Sequence, residues 1–151
     1  MGSRTRSWLL FIAAFASTSG IYWLAAVIGM NLFVGIAVPD WWLPSSSRLA
    51  QYMSWTHAMT FVGLVLVSLP IGVATAAKVA RRPVVFAFSA SLVGIIAPTL
   101  ILMLPHLALM GPVNRVSMVA DIAKFMFTLP ALTALAGRAL ASGRMGSGID
   151  A

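Results

Sequence analysis

Residues 53–77 read MSWTHAMTFVGLVLVSLPIGVATAA, a run that contains no Asp, Glu, Lys or Arg. About 20 apolar residues let an α-helix cross the roughly 30 Å hydrocarbon core of a bilayer, so this run is long enough to span a membrane. In lipid every backbone N–H and C=O group must be bonded internally, and a continuous apolar run achieves this as a helix. The run therefore predicts a transmembrane helix.

Apolar runs lie on both sides of this segment, at residues 8–38, 84–104 and 118–137, and the predicted helices cover residues 8–38, 53–77, 84–104 and 113–138. The whole chain is 60% hydrophobic and only 9% charged, and its mean hydropathy is +0.97, well above that of soluble domains. We therefore expect an all-α membrane protein, a single domain folded as a four-transmembrane-helix bundle in the lipid bilayer. Residues 139–151, rich in Ser and Gly, are predicted to form a flexible cytoplasmic tail.

The basic residues predict how the bundle is oriented. One side of the predicted spans holds Arg48 and Arg115. The other side holds a larger set: Arg4, Arg6, Lys78, Arg81, Arg82, Arg138 and Arg144. Because Lys and Arg are enriched in cytoplasmic loops, both termini are expected on the cytoplasmic side of the cell (inner) membrane. This topology also accounts for the net charge of +7, so no nucleic-acid partner is expected.

Composition restricts the chemistry open to the chain. It has no Cys, three acidic residues and two His. The absence of Cys excludes disulfides, thiolate metal sites and a cysteine nucleophile. The sequence also contains no phosphate-binding loop, no GxSxG elbow and no HExxH pair. We therefore do not expect catalysis by this chain alone.

Two sequence matches predict an internal repeat. Residues 67–78 (VSLPIGVATAAK) resemble residues 127–138 (FTLPALTALAGR), and residues 33–39 (FVGIAVP) resemble residues 92–98 (LVGIIAP). Because the matches keep their order along the chain, they are consistent with a parallel duplication of a two-helix hairpin. Convergence on common helix-end chemistry is the alternative, since apolar segments draw on few residue types.

Prolines and small residues predict how the helices bend and pack. The last three predicted helices each contain a proline: Pro70, Pro98 and Pro130. A proline frees a backbone carbonyl and is expected to kink its helix, which either marks a transport pathway or is tolerated by neighbouring helices. Small residues allow helices to approach closely in lipid, so Ala13, Ser17 and Gly20 are expected to form a packing face on the first helix.

Polar residues recur on the fourth predicted helix at steps of three and four: Asn114, Ser117, Asp121, Lys124 and Thr128. This spacing places them on one face of the helix. Asp121 and Lys124 are expected roughly 5 and 9 Å inside the outer boundary of the hydrocarbon core, where they form a candidate i,i+3 ion pair. Charges at this depth are functional candidates. The pair is either structural, at an interface with a partner subunit, or a relay for protons or ions.

The two histidines suggest a ligand site at the outer membrane edge. His57 and His106 are expected at the same depth on two helices that a short connection makes neighbours, so their imidazoles would converge on a haem or a metal ion. Four methionines are expected close by: Met53, Met59, Met103 and Met110. Their thioethers would suit copper(I), although methionine is also an ordinary filler of membrane cores. A quinone contact or no role at all are the alternatives.

Three functions remain open at this point. The first is a non-catalytic subunit or assembly factor of a larger inner-membrane complex, bound to other membrane subunits. The second is a homo-oligomeric small-solute or ion transporter or channel that uses the polar stripe of helix four. The third is a haem, copper or quinone site at the outer membrane edge through His57 and His106.

Overall fold

A computed structural model describes residues 3–33, 35–42, 47–102 and 109–146 of the chain. These residues form four helices and, within those ranges, no strand: α1 (Ser3–Leu32), α2 (Arg48–Lys78), α3 (Pro83–Leu102) and α4 (Pro112–Gly146). The all-helical fold expected from the apolar runs is confirmed. Three of the helices, α1, α2 and α4, are long and apolar enough to cross a membrane. With 20 residues, α3 is the shortest of the four, and its crossing stays a prediction.

The first helix ends earlier than the apolar run 8–38 predicts. Its last residue is Leu32, and Gly35 has a φ of +92°, a left-handed conformation that glycine adopts without steric cost. Beyond it the chain is irregular, and the backbone N–H of Trp42 donates to the carbonyl of Pro39 at 3.0 Å. The helix thus stops short of residue 38, because Gly35 and Pro39 favour a turn over a continued helix.

The second and fourth helices are longer than their apolar runs. Helix α2 starts at Arg48, where the Ser47 hydroxyl accepts a hydrogen bond from the N–H of Ala50 and so caps the helix. Helix α4 continues to Gly146. Residues 139–146 are therefore helical and do not belong to the flexible tail that composition predicts, since Ala, Leu and Arg in this stretch are strong helix formers.

The four helices follow the order α1, α2, α4, α3 around the bundle. Helices α2 and α3 each pack mainly against α1 and α4, and they touch each other little despite the short connection between them. This corrects the expectation that α2 and α3 are close neighbours whose outer ends converge. Helices α2 and α4 run parallel. Gly72 of α2 packs against Leu132 of α4, and closer to the N-terminal ends of both helices His57 lies against Ser117.

This order of helices does not show the predicted two-fold repeat. A two-fold axis along the membrane normal would place α1 opposite α3 and α2 opposite α4, yet each of these pairs is packed together. The matched ends of α2 and α4 instead lie side by side at one depth, since Gly72 contacts Leu132 at the same offset of sixty residues as the sequence match.

Close backbone contacts at glycines set the distances between helices. A Cβ on Gly29 of α1 would lie 2.9 Å from the carbonyl oxygen of Gly63 of α2, and a Cβ on Gly94 of α3 would lie 2.8 Å from the carbonyl oxygen of Ser19. Gly20, by contrast, has nothing within 4 Å. Within the described residues, Gly20 of the predicted packing face therefore meets no other helix, and the close approaches of α1 to α2 and to α3 occur at Gly29 and Gly94 instead.

The buried core lies at the level of Tyr22. This side chain is fully buried, and its hydroxyl donates to the backbone carbonyl of Phe125, which ties α1 to α4 across the bundle. Apolar side chains from all four helices surround the contact: Ala26, Leu64, Ala87, Ile95 and Leu129.

Each of the three helices that contain a proline continues through it: Pro70, Pro98 and Pro130.

Candidate charged site and adjoining cavity

The polar stripe of α4 is largely covered by the bundle. Ser117, Asp121 and Lys124 are half-buried and Thr128 is buried, whereas Asn114 is exposed near the start of the helix. The Thr128 hydroxyl donates to the Lys124 carbonyl, so its polar group is satisfied within the helix. The steps of three and four place the stripe on one face, and the packing of α2 covers the middle of that face.

His57 of α2 joins Asp121 and Lys124 in what we call the charged trio. The Lys124 Nζ lies 2.7 Å from Asp121 Oδ1 and 2.7 Å from His57 Nδ1, and 3.4 Å from the His57 carbonyl oxygen. His57 Nδ1 is 3.3 Å from Asp121 Oδ1. The exposed fractions of the three side chains are 29% for His57, 25% for Asp121 and 17% for Lys124. The structure thus forms the ion pair suggested by the i,i+3 spacing and adds a third member to it.

The hydrogen bonds assign the protonation state of His57 while Lys124 is charged. An ammonium group carries only donors, so His57 Nδ1 accepts from Lys124. The imidazole is then neutral with its proton on Nε2, which lies 3.1 Å from the Ser117 hydroxyl and donates to it. In this state the trio has no net charge. The trio thus combines a carboxylate, an ammonium group and an imidazole within hydrogen-bonding distance of one another.

A cavity of about 450 Å³ adjoins the trio, between α1, α3 and α4. Its apolar wall includes two aromatic rings and three methionines: Trp23, Phe125, Met30, Met110 and Met118. Its polar side is formed by Asn114, Ser117 and Asp121 of the α4 stripe. This volume lies in the range of pockets that bind small organic molecules.

Asp121 belongs both to the trio and to the cavity wall. Its contacts with Lys124 and His57 both use Oδ1, and within the described residues Oδ2 has no partner. Neither Lys124 nor His57 lines the cavity. A ligand in the cavity therefore meets one carboxylate whose other oxygen is already held by a cation.

The ring nitrogens of His57 do not favour the haem or copper hypothesis. Nδ1 is engaged by Lys124 and Nε2 by Ser117, so an iron or copper ion would have to displace one of these groups. His106, the second expected ligand, lies outside the described residues. In the part of the chain that the structure describes, no group of three or more His, Asp or Glu side chains is placed to hold a metal ion.

The methionines predicted as copper ligands lie at several places in the structure. Met59 lines a second, smaller cavity of about 180 Å³ near the end of α1, whereas Met110 lines the larger cavity. Met53 is half-buried on α2. Met103 lies outside the described residues. Met59 and Met110 thus line two different cavities.

Tryptophan side chains attach the segment 35–42 to the start of α2. The Trp42 indole N–H donates to the Ser54 hydroxyl at 2.9 Å, and the Trp55 indole N–H donates to the Ile36 carbonyl at 3.1 Å. The rings of Trp42 and Trp55 meet edge to face with centroids 5.0 Å apart. Indole rings favour the headgroup level of a bilayer, so this contact suits the membrane–water interface.

Sequence reasoning missed the place of His57 because it paired α2 with α3. One signal was available: His57 and Ser117 are sixty positions apart, the same offset as the matched ends of α2 and α4. No protein-family model, curated protein or solved structure matches this chain. The charged trio and the cavity are therefore the features that bear on its function.

Proposed function

We propose that this protein is a proton-linked transporter of a small solute. The observation that carries the proposal is that Asp121 belongs both to the charged trio and to the wall of a ligand-sized cavity. Ionisable residues within membrane spans commonly mark substrate pathways and proton relays. The partial burial of the trio supports the same function, since its charges are satisfied within the chain and need no partner subunit to neutralise them.

The trio offers a physical link between cargo and proton. A cargo that takes over the contact of Asp121 with Lys124 leaves the ammonium without its counter-charge. In this proposal the trio then gives up one proton. Departure of the cargo restores the ion pair and returns the proton. Cargo and proton then compete for Asp121, which is the thermodynamic basis of exchange.

We also propose that the chain crosses the cell (inner) membrane four times, with both termini on the cytoplasmic side. This topology is supported by the basic residues at the ends of α1, α2 and α4, among them Arg4, Lys78 and Arg138. His57 lies about 31 Å along α2 from Lys78, at 1.5 Å per residue, which puts the trio near the outer boundary of the hydrocarbon core. Since four helices enclose little volume, we also propose that the protein assembles as a homo-oligomer.

Gradient dissipation in liposomes tests the function. Purified protein is reconstituted with the pH-sensitive dye pyranine inside, a pH gradient is imposed, and organic cations, amino acids, sugars and metal ions are added outside in turn. We expect one solute class to accelerate loss of the gradient with the wild type. The double variant Asp121→Asn/Lys124→Met, which keeps the net charge of the trio, should not respond.

The matched control is Asp40→Asn/Arg48→Met, which removes one carboxylate and one cation that are exposed and outside the cavity. It should behave as the wild type. The proposal fails if no solute accelerates the loss of the gradient, or if the Asp121/Lys124 double variant is as active as this control.

One observation favours a second function, that of a non-catalytic subunit or assembly factor of a larger membrane complex. The small-residue face of α1 around Gly20 is exposed, and such faces let another helix approach closely in lipid. Purification from the native membrane in mild detergent, with Gly20→Ile as the variant, distinguishes the two functions. A stoichiometric companion protein that the variant loses favours the subunit. A chain without companions that still dissipates the gradient favours the transporter.

A further inference from the structure

We propose that the cavity between α1, α3 and α4 takes an amphipathic organic cation, a molecule with an apolar, ring-containing body and one positive charge. The inference rests on the proposed function and names its cargo class. Binding to the cavity can nevertheless be measured without transport, so the two proposals can fail separately.

The sign of the ligand charge follows from the cavity wall. Among the described residues that line the cavity, Asp121 is the charged one, and its Oδ2 has no partner there. The two cations or potential cations of the trio, Lys124 and His57, do not line the cavity. In surroundings of low dielectric constant a carboxylate attracts a cation and repels an anion more strongly than it does in water. The cavity therefore selects positive charge.

The apolar body follows from the rest of the wall. Trp23 and Phe125 offer aromatic rings, which attract cations through their faces as well as contacting apolar groups. Three methionines line the same space: Met30, Met110 and Met118. Methionine side chains adapt to ligands of different shape. The cavity thus selects for positive charge but can accept ligands of different shapes.

Equilibrium binding of tetraphenylphosphonium to the detergent-solubilised chain tests the inference. Triphenylphosphine oxide, a neutral molecule of related shape, is the comparison ligand. We expect the oxide to bind at least about tenfold more weakly than the cation. Asp121→Asn should weaken binding of the cation by about tenfold, whereas Asp40→Asn, which removes an exposed carboxylate from the segment 35–42, should leave it unchanged.

A second variant with the opposite expected sign separates a specific site from damage to the fold. The Lys124 ammonium, 2.7 Å from Asp121 Oδ1, competes with the ligand for the same carboxylate. Lys124→Met should therefore tighten cation binding by about threefold or more. Trp23→Leu should weaken it, and Trp8→Leu, a change of an exposed ring near the start of α1, should not. If Lys124→Met does not purify as a folded protein, the comparison of the two ligands on the wild type decides the matter.

Equal affinity for the cation and the oxide, or a folded Lys124→Met variant that binds the cation no more tightly than the wild type, overturns the inference. An aminolipid headgroup carries the same cationic chemistry, so competition identifies the source. Displacement of the probe by phosphatidylethanolamine and not by phosphatidylglycerol would make a lipid the occupant and overturn a soluble cargo.

The outcomes for the two proposals are distinguishable. If the cation binds in an Asp121-dependent way but no solute dissipates the pH gradient, the binding-site proposal stands and the transport proposal is refuted. If a sugar or a metal ion dissipates the gradient and the organic cation does not bind, the transport proposal stands and the organic-cation cargo is refuted.

Discussion

Removing one member of the Asp121–Lys124 pair should destabilise the fold more than removing both. Lys124 Nζ donates to Asp121 Oδ1 and to His57 Nδ1, both at 2.7 Å. Asp121→Asn leaves the ammonium among neutral acceptors in a half-buried site. Lys124→Met leaves the Asp121 carboxylate without its cation, on a side chain that is 25% exposed and therefore better hydrated than the 17% exposed Lys124.

The expected magnitudes follow from this geometry. Breaking a fully buried ion pair costs about 3–5 kcal/mol, and the 25% and 17% exposure of these side chains reduces that cost to about 2–3 kcal/mol for Asp121→Asn. Lys124→Met should cost about 1–2 kcal/mol, because the carboxylate that it leaves unpaired is more exposed to water than the ammonium left by Asp121→Asn. The double variant should lie within about 1 kcal/mol of the wild type, since replacing a buried pair by uncharged residues is often nearly neutral.

The measurement is the free energy of unfolding from titration with SDS in mixed micelles, followed by tryptophan fluorescence and far-UV circular dichroism. The expected energies imply a coupling of at least about 2 kcal/mol between the two positions, well above the error of such a cycle. Asp40 and Arg48, which are exposed, provide the control cycle and should show no coupling. If the effects of Asp121→Asn and Lys124→Met simply add, the pair does not stabilise the fold in the way described here.

Three further substitutions test the packing and the segment 35–42. Gly63→Ala places a Cβ against the carbonyl oxygen of Gly29 and should destabilise the fold by about 1–3 kcal/mol in the same titration. The control Gly20→Ala, whose Cβ meets nothing within 4 Å, should be neutral or slightly stabilising. Equal stability of the two variants would contradict the α1–α2 contact. Tyr22→Phe removes the hydroxyl that donates to the Phe125 carbonyl and should cost about 1 kcal/mol, so an unchanged free energy of unfolding would mean that this bond contributes nothing. Trp42→Phe removes the indole N–H that bonds Ser54 and should speed amide hydrogen exchange in residues 35–42 without changing exchange in α4; unchanged protection of the segment would show that the bond does not hold it.

Local features of the sequence were sufficient for the helices and for part of the charged trio. The apolar run at residues 53–77 predicts a helix because backbone hydrogen bonds in lipid must close within the segment. The contact of Asp121 with Lys124 follows from an i,i+3 spacing on one helix, which brings two side chains together whatever the rest of the chain does. The apolar run does not predict where α1 ends, because the run continues past the turn at Gly35.

Composition and helical periodicity are enough to predict the helical, membrane-compatible character of the chain and the polar stripe of α4. The tertiary structure alone decided that His57 completes the trio and that Asp121 borders a cavity. It also decided that Gly63 is a packing position while Gly20 is not. The physical reason is that helix periodicity says which residues share a face but not which faces meet. That choice depends on close backbone contacts between distant segments, such as Gly29 with Gly63 and Gly72 with Leu132.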